Sequence, residues 1–213
     1  MLVDGALSES VPDIVARIHA LGFRIEDVKL ILNTHVHFDH AGGIAELQRL
    51  SGAAVAASPW SAAVLRSGAP GRDDPQYGIA LPIAPVPVVR EITDGETLHV
   101  GALALTAHVT PGHTTWTWRA CDGDRCLDIV CADSQTAVSA DGFRFTDHLT
   151  VLADFARSAA VLEALPCDLL VATHPGASAL RERITAHELV DPEACRHLAA
   201  ASREQLEARL AKE

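Results

Sequence analysis

Four residues able to bind a metal fall within six positions. Thr34-His35-Val36-His37-Phe38-Asp39-His40 carries His35, His37, Asp39 and His40 directly after the strand-length apolar run from Val28 to Leu32. In extended backbone alternate side chains share a face, so His35, His37 and Asp39 are expected to converge as the chain leaves its strand. His40 projects differently and is expected to serve a neighbouring metal. Imidazole nitrogen and carboxylate oxygen are the usual ligands of a hydrolytic zinc, at about 2.0–2.2 Å. Gly42 and Gly43 are expected to permit tight backbone close to the metals before a helix begins. A polar loop with chance histidines is the competing explanation, and the density of ligand types at the end of an apolar strand argues against it.

Two further histidines join this set. His113 lies in Thr110-Pro111-Gly112-His113-Thr114, read as a turn closing the strand that ends at Val109, and His174 lies in Ala172-Thr173-His174-Pro175-Gly176 after the strand from Asp168. Each alone would read as an ordinary loop histidine. Together, both at strand ends beside Pro and Gly, they match sites built at the open edge of a sheet. Six ligands divide into two sets of three. A catalytic zinc keeps about three protein ligands and an open position for water, and two zinc ions about 3.5–4 Å apart can share a hydroxide. The remaining histidines read as bystanders, with His108 the one nearest in sequence to His113.

These residues need a scaffold to position them, and the sequence supplies it as alternating elements. Ser10-Val11-Pro12-Asp13 opens an amphipathic helix, with Ile14, Val15, Ile18 and Leu21 on one face and Gly22 as its stop. Ala53 to Ala57 reads as a strand, and Ser58-Pro59 caps a helix to Arg66. Residues 67–87, rich in Gly, Pro and Asp, read as a long surface loop; such loops often border binding sites, which makes Tyr77 and Ile79 candidate substrate contacts. A β-rich stretch covers 97–132. A helix over 149–165, a buried strand over 168–172 and a helix over 191–210 complete an α/β layered fold.

Composition narrows the function classes. With 213 residues, 48% of them hydrophobic, the chain has ample material for a core. Its net charge of −11, without a dense basic run, argues against a nucleic-acid partner. No apolar run reaches the roughly 20 residues that cross a bilayer, and Met1 to Gly5 shows neither the basic head nor the apolar stretch of a signal peptide. Five cysteines leave two readings open. Either all are reduced and buried, or Cys121 pairs with Cys126 across a hairpin-like turn and Cys167 with Cys195 across a longer loop, leaving Cys131 over.

The His-x-His-x-Asp-His motif, the Pro-Gly-His turn, Ala132-Asp133-Ser134 and His174-Pro175-Gly176 occur in an order that resembles the metallo-β-lactamase superfamily. More narrowly, Phe38-Asp39-His40-Ala41-Gly42-Gly43, Ala132-Asp133-Ser134-Gln135-Thr136-Ala137-Val138 and Thr173-His174-Pro175-Gly176-Ala177-Ser178 resemble the class B β-lactamases of the third subclass. The resemblance covers essentially the whole chain and implies one domain over 1–213, a four-layer αββα sandwich. It implies two zinc ions, the first on His35, His37 and His113 and the second on Asp39, His40 and His174. Asp39, His40 and His113 become the catalytic residues, Asp133 an outer support, and Ser134 and Thr136 the contacts to a substrate carboxylate. It also implies the disulfides Cys121–Cys126 and Cys167–Cys195, with Cys131 free, and a periplasmic location. The chain departs from the subclass in having Gln135 where leucine is usual. It also lacks the export signal and first strands that normally precede the Leu2–Gly5 segment, so an N-terminally truncated chain with an incomplete first β layer is expected.

The implied activity is hydrolysis of the β-lactam amide of an antibiotic by a hydroxide shared between the two zinc ions. Two other functions compete with it. One is a related binuclear zinc hydrolase of thioesters or lactones, such as a glyoxalase of the second type, in which an aspartate near Asp133 bridges both metals. Those thioester hydrolases carry a sizeable C-terminal helical domain, whereas only 39 residues follow His174 here. The other is a truncated zinc-binding remnant with little turnover.

Overall fold

The computed structural model describes residues 1–110, 112–133 and 135–213, so Pro111 and Ser134, both singled out above, lie outside the described residues. The chain forms two compact units, Met1–Thr93 and Asp94–Glu213.

The first unit is built on a parallel sheet of β1 (Leu2–Val3), β2 (Leu30–Leu32), β3 (Ala54–Ala57) and β4 (Arg90–Glu91), in that order. Leu30, Ile31 and Leu32 are all buried, as expected of a parallel strand covered on both faces. The helices are α1 (Val11–Ala20), α2 (Phe38–Ala41), α3 (Ile44–Ser51) and α4 (Pro59–Ser67). Ser58 caps α4 by accepting a hydrogen bond from Ser61 N at 3.3 Å, with Pro59 in the first turn where its missing N–H costs nothing. The core joins Ile18, Ile31, Ile44, Leu47, Val55 and Leu65.

The second unit carries a five-stranded sheet: β5 (Thr97–Val100), β6 (Leu103–Thr110), β7 (His113–Asp122), β8 (Arg125–Ala132) and β9 (Leu169–Ala172). The first four form an antiparallel meander, and β9 joins β8 in parallel after the helix α5 (Leu149–Ala164). The short α6 (Leu180–Ala186), which no sequence signal marked, precedes α7 (Ala194–Leu210). Leu162 of α5, Leu170 of β9 and Leu198 and Ala199 of α7 share one buried cluster with Val130 of β8. Disulfides join Cys121 to Cys126 across the β7–β8 turn and Cys167 to Cys195, which ties the start of α7 beside β9; Cys131 is a buried free thiol. Among the described residues no helix is long and apolar enough to cross a membrane.

Candidate functional site

In the first unit the ligand-type residues follow the C-terminal end of β2, the edge of a parallel sheet where open α/β proteins bind ligands. Extended backbone carries His35 and His37, but the alternation expected through Asp39 stops there. His37 is the N-cap of α2, so Asp39 and His40 lie on a helical turn. Asn33 N still donates to Ala56 O of β3 at 3.0 Å, but the ladder ends there because the next N–H, that of Thr34, goes to Asp4 instead of a neighbouring strand. Asp4 Oδ1 accepts from Thr34 N at 2.7 Å and from Asn33 Nδ2 at 3.2 Å, and Asp4 Oδ2 accepts from the Thr34 hydroxyl.

Gly42 and Gly43 do admit tight backbone. A Cβ on Gly42 would lie 2.4 Å from Phe38 O and 3.0 Å from Ser8 N, and one on Gly43 would lie 2.3 Å from Gly5 O. The glycines make room for the Asp4–Ser8 turn, and Gly5 N donates to His40 O at 2.7 Å and Gly43 N to Ala6 O at 3.1 Å. Their smallness seats Asp4 beside His40.

That seating has a chemical result. His40 Nδ1 donates to Asp4 Oδ2 at 3.2 Å, which leaves Nε2 as the nitrogen with the lone pair, 3.6 Å from Asp39 Oδ2. His37 Nε2 donates to Asp74 Oδ2 at 2.9 Å, so its lone pair is on Nδ1, and His35 Nε2 lies 2.7 Å from that Nδ1. Asp74 is 3% exposed despite lying in the polar loop, and its other oxygen accepts from Gln76 N at 2.7 Å. Metal-binding histidines characteristically donate their second ring N–H to a carboxylate, which fixes tautomer and ring orientation. Imidazoles with tautomers fixed this way, together with the carboxylate of Asp39, form a donor set that fits zinc.

In the second unit one edge of the sheet gathers the remaining residues. His113 is the first residue of β7, paired with Thr110 across a turn whose Gly112 has φ 80°, rather than part of the turn itself. Asp133 follows β8, and His174 follows β9 as the N-cap of a single 3-10 turn, Pro175–Ser178. Because β8 and β9 run parallel, with Ala132 beside Ala172 and Thr173 N donating to Ala132 O at 3.0 Å, their ends lie together. His113 Nδ1 donates to Asp133 Oδ2 at 2.5 Å, and Thr173 Oγ1 donates to Asp133 Oδ1 at 3.1 Å. Asp133 thus orients His113 with Nε2 as its lone-pair nitrogen. Thr136 and His174 are exposed.

The other candidates fall as follows. Tyr77 and Ile79 are 45% and 55% exposed in their loop, with the Arg72 guanidinium 5.3 Å from the Tyr77 ring centre. His108 sits within β6 and meets Thr117 Oγ1 at 3.0 Å, away from the His113 end of the strand. Burial pushes its pKa down, opposed by the negative charge of Asp94. Sequence reasoning missed Asp4 and Asp74. The usable signal was the need of each histidine for a carboxylate.

Residues 1–174 match the sequence profile of the metallo-beta-lactamase superfamily. Among curated proteins the chain is 33% identical over 155 residues to a probable metallo-hydrolase of Burkholderia pseudomallei (strain 1710b), a match taking in 68% of this chain and 45% of that protein; the chain thus spans less than half of that relative. Among solved structures it resembles the Rm3 metallo-beta-lactamase, 51% identical with a TM-score of 0.96 over 99% of this chain and 84% of that one. It resembles MEM-A1, a subclass B3 metallo-beta-lactamase from a soil metagenome library, 44% identical with a TM-score of 0.95 over 99% and 85%. It also resembles MIM-1 from Novosphingobium pentaromativorans, 41% identical with a TM-score of 0.95 over 99% and 80%.

Proposed function

The chain belongs to the metallo-β-lactamase superfamily of hydrolases, and we propose that it is a third-subclass zinc β-lactamase that opens the cyclic amide of β-lactam antibiotics. The reading takes residues 1–213 as one catalytic domain. It assigns His35, His37 and His113 to a first zinc, and Asp39, His40 and His174 to a second. The observation that carries it is the set of anchoring carboxylates. Asp74, Asp4 and Asp133 each engage the far ring nitrogen of a different candidate ligand, His37, His40 and His113. Metal-binding histidines characteristically donate their second ring N–H to a carboxylate in this way, and three candidate ligands do so here. The likeness to Rm3 and MEM-A1 over nearly the whole chain supports the same reading.

Bound zinc supplies a Lewis acid for the amide carbonyl and brings the pKa of water toward neutrality. The protein's own part is to orient His37, His40 and His113 through Asp74, Asp4 and Asp133, beside His35, Asp39 and His174 as the remaining ligands. Asp133 is assigned as the support of His113, which donates to one of its oxygens while Thr173 donates to the other. That favours a lactamase over the thioester hydrolases, whose aspartate bridges both metals. Thr136, with Ser134, is assigned to the substrate carboxylate, and the exposed Tyr77 and Ile79 to further substrate contacts. Two disulfides suit an oxidising compartment, and we place the protein in the periplasm.

The test is nitrocefin hydrolysis measured beside metal content. The expected result is about two zinc ions per chain, turnover abolished by a chelator and restored by zinc. A zinc-loaded chain that cleaves a thioester or lactone faster than nitrocefin would move the assignment to the related hydrolases. A folded chain that retains zinc and cleaves none of them would make it a binding remnant.

A further inference from the structure

Between β8 and α5, the described residues of the second unit form no regular structure beyond one 3-10 turn, Phe145–Asp147. This segment carries Asp133, which orients His113, and Thr136. Gln135, between them, has φ 57°, a left-handed conformation that non-glycine residues rarely adopt. Its side chain is 1% exposed, and its Nε2 has no hydrogen-bond partner among the described residues. A strained backbone with an unmatched buried amide persists only where its surroundings hold it.

One face of α7 does the holding. Ser202 Oγ, buried at 4% exposure, donates to Gln135 O at 2.9 Å. About two turns further along the helix, Arg209 donates from Nη2 to Ser139 Oγ at 3.0 Å and to Phe143 O at 3.2 Å. Glu213 lies on the same face beyond the helix and accepts from Phe145 N, Thr146 N and Thr146 Oγ1, each at 3.0 Å. Three polar groups on one face therefore grip the segment, and Ser202 is the one nearest the chemistry. The Cys167–Cys195 disulfide ties the other end of α7 beside the start of β9, the strand that leads to His174.

We infer that Ser202 is a positioning residue for the zinc site: by holding Gln135 it sets the segment through which Asp133 fixes His113 and Thr136 meets substrate. The inference rests on the zinc β-lactamase reading. Ser202→Ala removes the donor at nearly constant volume, and Ser202→Thr keeps it. Losing one buried hydrogen bond to a segment that must be ordered for binding should cost about 5–10-fold.

Ser202→Ala should therefore raise the nitrocefin KM by about 5–10-fold, with kcat changed less than about twofold in saturating zinc. It should also weaken zinc binding and speed amide exchange over 135–146 in the zinc-free protein, and Ser202→Thr should restore all three. A helix residue with a merely structural role would lower thermal stability and move none of them, and that result overturns the inference. Equal effects of Ala and Thr overturn it too. Should Ser202→Ala not fold, the unmodified protein decides: amides 135–146 must exchange in one step with those of α7, and their exchange well ahead of α7 sinks the idea. An unmodified chain that binds no zinc refutes the zinc reading, whereas a zinc-loaded one indifferent to Ser202→Ala refutes only the positioning role.

Discussion

The two units hold their candidate ligands in opposite ways. In the first, the ligands are crowded and their anchors distant. His35, His37, Asp39 and His40 occupy one loop and one helical turn, while Asp4 lies 36 residues from His40 and Asp74 lies 37 from His37. In the second, the ligands are scattered and the sheet gathers them. His113 begins one strand and His174 follows another, with Asp133 at the same edge. Crowding makes a motif that spacing alone can expose. Scattering makes a site that only strand pairing assembles, with register doing the work of sequence proximity.

The largest effects should come from the ligands themselves. Asp39→Ala and His113→Ala should each reduce turnover by more than the roughly 10–100-fold typical of an outer partner, and each should lower the metal content toward one zinc per chain. Asp39→Ala should empty mainly the second site and His113→Ala mainly the first, distinguishable by substituting cobalt and following its absorption. Two retained metals and near-normal rates in Asp39→Ala would undo the division of the six ligands.

The anchors come next and test whether the two units are as alike in their outer support as they are unlike in sequence. Asp74→Asn and Asp133→Asn should each weaken zinc binding by about 10-fold, the lower end for an outer partner, because the amide oxygen still accepts but the charge is gone. Competition with a chelator of known affinity measures this directly. If Asp133→Asn behaves as severely as Asp39→Ala while Asp74→Asn stays mild, Asp133 is itself a ligand and the thioester-hydrolase arrangement returns.

The same contrast explains what the sequence made legible. The α/β alternation, the helix after Ser10-Val11-Pro12 and the Ser58-Pro59 cap could be read because local periodicity and capping chemistry decide them. The extended alternation read through Asp39 failed because α2 starts at Phe38, and what stops the strand is Asp4, contributed from another part of the chain. Gly42 and Gly43 were legible as a place of close approach, but that the Asp4–Ser8 turn is what approaches them was not. Asp74 was invisible for a related reason. A polar loop displays several aspartates, and nothing local says that Asp74, rather than its neighbour Asp73, is the one turned inward to His37. His113 was placed in a turn because Pro-Gly dominates its surroundings, whereas the antiparallel pairing with Thr110 begins the strand there. Gln135 shows the limit most plainly: a departure from the leucine expected by resemblance could be noticed, but its buried, left-handed setting under Ser202 could not.

The smallest effect concerns how the second unit's segment is held, where the first unit relies on glycine packing and Asp4. Glu213 takes two backbone N–H bonds and one hydroxyl bond, with Arg209 Nε at 3.4 Å, and its side chain is 5% exposed. Those donors, Thr146 N first, pull its pKa from 4.5 down to about 2, against an opposing desolvation. A depressed carboxylate stabilises the fold in its ionised form, so this contribution is complete above the unfolded pKa near 4.5 and is lost as pH falls toward about 2. Glu213→Gln removes the charge at constant shape. Denaturant midpoints of the two proteins should therefore differ by a constant amount above pH 5, converge between pH 4.5 and 2, and coincide below that. Any metal given up on acidification is lost from both proteins, so the difference between them still reports Glu213 alone. Midpoints that differ equally at pH 2 and pH 7 would show that Glu213 acts through shape rather than charge, and the acid sensitivity assigned to this segment would belong elsewhere.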